Sequence, residues 1–76
     1  MKEFLEFIAK SLVDNKEAVR VEETRNGKEI NFELYVDDNE TGKVIGKNGK
    51  TARSIRTLLK AIAARNGFMA TLDVPQ

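Results

Sequence analysis

Cysteine and histidine are both absent from the 76 residues. The first absence excludes disulfides and thiolate metal ligands. The second removes the commonest zinc ligand and the commonest general base near neutral pH. Tryptophan is missing too, and the single proline is Pro75. No apolar run approaches the roughly 18–20 residues that a membrane-spanning helix requires. Glu3, Glu6 and Lys10 interrupt the N-terminal segment, where a secretory signal needs an unbroken apolar stretch. Asn39-Glu40-Thr41 therefore reads as a chance glycosylation sequon. These gaps leave only carboxylates and lysines for catalysis, a thin inventory, and the expectation is a cytoplasmic, non-enzymatic protein with no cofactor, no metal, no membrane and no small-molecule substrate. The length suits one domain, residues 1–76, near the lower limit for a core without covalent help.

One further absence is local. The formal net charge is +1, but from Thr41 to Leu72 there is no acid at all. Lys43, Lys47, Lys50, Arg53, Arg56, Lys60 and Arg65 all fall there, whereas Glu22, Glu23, Glu29, Glu33, Asp37, Asp38 and Glu40 crowd the middle of the chain. Such asymmetry predicts one acidic and one basic surface, the latter suited to polyanions.

Phe4, Leu5, Ile8, Ala9 and Leu12 recur at helical spacing and predict an amphipathic helix over 2–13, with Phe7 at the periphery of the core. Residues 18–24 and 29–36 alternate at period two, and Asn26-Gly27 between them suits a tight hairpin turn. A polar loop, Asp37 to Thr41, precedes a short helix that begins at Gly42 or Lys43, is capped by Thr41 and ends at Gly46. A long helix starts near Lys50, with Thr51, Ala52, Ile55, Leu58, Leu59 and Ile62 on its apolar face, and Asn66-Gly67 ends it. Met69 to Val74 alternates again as a third strand. The order is α-β-β-α-α-β, an α+β fold with the helices on one face of a three-stranded sheet. The two-helix crossover favours parallel pairing of the last two strands, so the sheet is expected to be mixed.

Val44-Ile45-Gly46-Lys47-Asn48-Gly49-Lys50 joins the two helices through a very short turn with glycine at both ends. Glycines permit a sharp bend and the close approach of another backbone. The free N–H groups at the start of the long helix lie at this turn, and Lys47, Lys50 and nearby Lys43 add charge. A phosphodiester chain fits against such a turn. Two glycines spaced G-x-x-G are common, and an ordinary helix–helix turn has the same pattern. The hairpin before the loop, the unequal helices around it and the lack of acids make the combination more specific.

At this point the segment from Val44 to Ile55, Val-Ile-Gly-Lys-Asn-Gly-Lys-Thr-Ala-Arg-Ser-Ile, resembles the signature of KH domains, whose GXXG loop clamps a nucleic-acid backbone. The element order resembles the type II KH fold, and the whole chain is similar to the small single-KH bacterial proteins of the KhpA family. The resemblance implies single-stranded RNA as ligand, gripped by Gly46, Lys47, Asn48 and Gly49. Val44 and Ile45 match the apolar pair before the loop, and Ile55 an apolar position after it. Lys43, Lys50 and Arg53 complete the expected RNA-binding set. Family members hold about four bases in a groove beside the loop. Ala52 is smaller than the aliphatic residue many relatives carry, so a shallow floor and weak base selectivity are expected. The family also implies RNA chaperoning or post-transcriptional regulation, linked in some bacteria to cell elongation and division. A homodimer and a larger KhpB-like KH-containing partner are implied as well, and a protein-interaction domain is the competing reading. Phe7, Ile45 and Ala61 are candidate contacts for it.

Arg53, Arg56 and Lys60 recur three and four apart opposite the apolar stripe, as either a solvated face or an extended track for RNA. Tyr35 on the polar strand face either stacks on a base or is simply a strand aromatic. Gly49-Lys50-Thr51 matches the end of a P-loop, but Val44 stands where that motif needs glycine, which excludes nucleotide hydrolysis. Asp37, Asp38 and Glu40 lack calcium-loop spacing and read as a solvated connection.

Overall fold

The computed structural model describes residues 1–75. Helix α1 (Lys2–Leu12) packs through Leu5 and Ala9, one ridge of i, i+4 positions, and both are buried. Glu3 in its first turn and Lys10 in its last suit the helix dipole. The predicted apolar stripe is wider than the part that is buried. Phe4 and Leu12 keep over a third of their surface in solvent, Ile8 is half-buried, and Phe7 is 70% exposed rather than peripheral to the core.

The hairpin consists of β1 (Arg20–Asn26) and β2 (Glu29–Tyr35). The first strand is displaced by two residues from the predicted 18–24, and Lys16–Ala18 forms a single 3₁₀ turn instead. The turn explains the shift. Asn26 pairs with Glu29, so the two-residue connection is Gly27-Lys28, with Gly27 at φ +63°. In β2 the alternation is realised: Ile30, Phe32 and Leu34 are buried. In β1 only Val21 is buried, as befits an edge strand.

After β2 comes a 3₁₀ turn, Asp38–Glu40, then α2 (Thr41–Ile45). Thr41 does not cap α2; it lies inside the helix, and its hydroxyl donates to the Asp38 carbonyl at 3.0 Å. Capping here falls to Asp37, whose carboxylate accepts the Asn39 N–H at 2.9 Å and opens the 3₁₀ turn. Helix α3 (Lys50–Arg65) buries Ala52, Ile55, Leu59 and Ala63. It ends as expected at Asn66-Gly67. The Phe68 N–H donates to the Ala63 carbonyl and the Gly67 N–H to the Ala64 carbonyl, with Gly67 at φ +80°. That crossed pair satisfies the terminal carbonyls and turns the chain into the sheet.

Strand β3 (Met69–Asp73) pairs parallel with β2, and the sheet order is β1-β2-β3. Ile30 lies opposite Ala70 and Phe32 opposite Leu72, so both strands turn the same set of side chains toward the helices. The mixed α+β architecture of the type II KH fold is therefore present as anticipated. Phe32, Leu5, Ile30, Leu34, Leu59 and Val44 are fully buried at its centre. Each such burial is worth about 1.5–3 kcal/mol. Among the described residues no helix is long and apolar enough to cross a membrane.

Candidate nucleic-acid interface

The turn between α2 and α3 owes its shape to three departures from ordinary backbone within four residues. Gly46 adopts φ 78°, ψ 175°, a region open essentially to glycine alone. Asn48 sits at φ 57°, ψ 27° and Gly49 at φ 75°, ψ 12°, both left-handed. Asparagine is among the few other residues that tolerate that conformation. Gly46 is required for a second reason. A Cβ there would lie 2.7 Å from Thr51 Cβ and 2.8 Å from Thr51 N, and closer still to its hydroxyl. The first glycine thus lets the loop fold against the opening turn of α3.

Lys47, Asn48 and Lys50 are exposed at this turn, and neither lysine forms an ion pair with a described residue. Among the described residues no side chain caps the start of α3; the Gly49 N–H donates to the Gly46 carbonyl and the Lys50 N–H to the Lys47 carbonyl, and the positive dipole end of α3 lies at the loop. Arg53, one turn into α3, donates to the Asn48 carbonyl at 3.3 Å and braces the loop from behind. Loop and brace together make a small positive, donor-rich surface.

Beside it runs a groove lined by Ile45, Gly49, Ala52, Arg53, Arg56, Asp73 and Val74. One wall is α3 and the other is β3 with the residue after it. Of the residues predicted for the site, Gly46, Lys47, Asn48, Gly49, Lys50, Ile45 and Arg53 are brought together at this loop and groove. Val44 and Ile55 are buried at 0% and 4% exposure, and support the loop from the core rather than present a surface.

Lys43 is engaged elsewhere. Its ammonium lies 2.9 Å from the Asp14 carboxylate and 3.1 Å from Glu40, and these two hydrogen-bonded partners raise its pKa. Glu40, expected to be solvated, is buried at 7% exposure. Its carboxylate accepts the Asp14 N–H at 2.6 Å and the Asn15 N–H at 2.8 Å. These two backbone donors, with help from Lys43, pull its pKa down to about 2. The polar connection is thus a clasp that ties the end of α1 to the start of α2.

Arg56, read from the sequence as part of either a solvated face or an extended RNA track, is not simply solvated. It is half-buried and donates from Nη2 to the Leu72 carbonyl at 3.1 Å, across the seam between α3 and β3. Sequence reasoning missed the β3 wall of the groove, and with it the Leu72 carbonyl that anchors Arg56. The parallel pairing of β2 and β3 was the available signal, because it sets β3 at a sheet edge after a returning helix. Tyr35, on the open sheet face, has the Arg20 guanidinium over its ring at 4.3 Å, so one stacking face is already occupied.

The chain matches the family model described as KhpA/KhpB, KH domain, over residues 2–74. A protein of Chlamydia pneumoniae named RNA-binding protein KhpA is 46% identical over 74 residues, covering 97% of this chain and 95% of the relative. Proteins with the same name from Aquifex aeolicus and Clostridium perfringens are 47% and 45% identical, covering 97% of this chain and 94% and 99% of theirs. No solved structure gives a significant match.

Proposed function

The chain belongs to the KhpA/KhpB family of KH domains, and from that premise we propose that it binds single-stranded RNA through the Gly46-Lys47-Asn48-Gly49 loop. The observation that carries this reading is the combination at one place of a backbone bent by two glycines, two lysines without ion-pair partners among the described residues, and the positive end of a helix with no side-chain cap there. The sugar–phosphate chain lies along the loop, neutralised by Lys47 and Lys50 and hydrogen-bonded by main-chain N–H groups. Bases then lie in the groove between α3 and β3. The family is non-enzymatic, and the role is one of holding or remodelling RNA, as a chaperone or post-transcriptional regulator in the cytoplasm. Replacing Lys47 and Asn48 together by aspartate is expected to abolish a low-salt mobility shift with single-stranded RNA. The substitutions lie in an exposed turn, so the thermal midpoint should hardly move. Equal RNA affinity of variant and parent would refute the reading.

A second reading, docking to another copy or to a KhpB-like KH protein, is favoured by one observation. Between α1 and α3 lies an open seam in which Ile8, Leu12 and Leu58 surround the edge of buried Ile55, with Lys50, Thr51 and Ser54 at its rim, and Leu58 is 49% exposed. Phe7 on α1 stands clear of the core as well. Sedimentation of the parent and of Leu58→Glu tests it. A dimer that the substitution dissociates supports docking, and a monomeric parent at high concentration removes the homodimer.

A further inference from the structure

The groove described above holds a guanidinium whose purpose the loop does not explain. Arg56 is half-buried, lines the groove, and uses one N–H on the Leu72 carbonyl. A guanidinium carries five N–H donors in a rigid planar fork. No described carboxylate pairs with this one. Held at one edge by the β3 backbone, it keeps its remaining donors for whatever enters the groove. Beside it the floor is Ala52, whose single methyl leaves the guanidinium rather than a branched aliphatic chain to meet a base.

We propose that Arg56 reads one base of the bound strand by donating two parallel hydrogen bonds to a pair of adjacent acceptors, which selects cytosine or guanine over adenine and uracil. This rests on the RNA-binding reading above and assigns its base preference. The chemistry of the four bases decides the selection. Guanine offers N7 and O6 side by side, and cytosine offers N3 and O2 side by side. In adenine the amino group separates N1 from N7, so each acceptor is flanked by a donor. In uracil the N3–H stands between the two carbonyl oxygens. A fork of donors therefore finds a matching pair on cytosine or guanine and meets a repelling N–H on the other two. The anchoring bond to Leu72 fixes the fork without consuming it, which lowers the cost of ordering a long side chain on binding.

The competing role for Arg56 is purely structural, a clamp between α3 and β3. The two roles separate in a fluorescence-anisotropy titration of the full chain with short oligouridine and with the same strand carrying one cytosine, guanine or adenine. The parent is expected to bind the cytosine- and guanine-containing strands about tenfold more tightly than the adenine-containing strand or oligouridine. In Arg56→Lys, which keeps the charge but has no planar fork, the ratio should fall to about one. Overturning results are a parent with equal affinity for all four strands, or a lysine variant that keeps the preference. The comparison of strands on the parent needs no variant, so poor folding of Arg56→Lys leaves the proposal testable. If the parent binds none of the strands, the RNA-binding reading itself fails; if it binds all of them equally, only the role of Arg56 does.

Discussion

Two junctions flank α2, and both carry lysine in the acid-free half of the chain, yet they are opposites. At its start, Lys43 is spent on Asp14 and Glu40, and Glu40 in turn holds two backbone N–H groups at the end of α1. At its end, Lys47 and Lys50 have no ion-pair partner among the described residues, and the helix that follows lacks a cap. One junction is electrostatically closed and serves the fold; the other is open and available to a ligand. The difference teaches that a basic segment read along the sequence does not reveal which charges are free. That depends on which acids the fold brings back to it.

Breaking the open junction from within should have the largest effect. Gly46→Ala meets both a forbidden backbone region and the Thr51 contact, and is expected to cost about 2–4 kcal/mol in urea unfolding. Gly27→Ala has the same sign of φ but open space around the new methyl, so about 1 kcal/mol is expected there. Equal losses at the two positions would show that the close approach to Thr51 contributes nothing.

Next in size is the division of labour between the lysines. Lys47→Ala with Lys50→Ala should weaken RNA binding by about tenfold at low salt and flatten the log–log salt dependence by about 1.4, two phosphates' worth on a single strand. Lys43→Ala should leave the salt slope unchanged and show itself in the unfolding midpoint instead. An RNA defect for Lys43→Ala as large as that of the pair would erase the contrast.

A pH titration sharpens the closed junction. Glu40 has a folded-state pKa lowered from 4.5 to about 2 by the Asp14 and Asn15 N–H groups, so its ionised form is favoured by folding. Its contribution is full above about pH 4.5 and is lost as the pH falls toward 2. Asp37, lowered by the Asn39 N–H and the Asn15 side chain, acts in the same direction. Glu40→Gln should therefore be less stable than the parent at neutral pH, and the two denaturation curves should converge in acid. The smallest change is expected for Asp14→Asn. That carboxylate is 93% exposed, and a solvent-screened pair of this kind contributes little to stability.

Periodicity made the element order, the sheet and much of the core legible, because Ile30, Phe32 and Leu34 alternate and Ala52, Ile55 and Leu59 keep helical spacing. Leu58 on the same expected face is nevertheless 49% exposed, and Ala63, not expected there, is buried. The glycine loop was legible for the same local reason, since its backbone angles are dictated by the residues that occupy it. What stayed hidden was long-range. Nothing near Glu40 announces that its carboxylate will meet N–H groups 25 and 26 residues earlier. Nothing near Arg56 announces the Leu72 carbonyl. The start of β1 was misjudged because the turn uses Gly27-Lys28, a choice that the dipeptide Asn26-Gly27 leaves open.

The parallel pairing of β2 with β3 has a consequence for biosynthesis. Asn31 and Thr71, neighbours across that pairing, are 40 residues apart in the chain. A chain synthesised only as far as Arg65 already carries the lysine turn, but it lacks the strand against which Arg56 and the bases would rest. The second wall of the groove therefore forms only once the last strand has been made and has docked on β2, after every other element of the sheet and its helices is already in the chain.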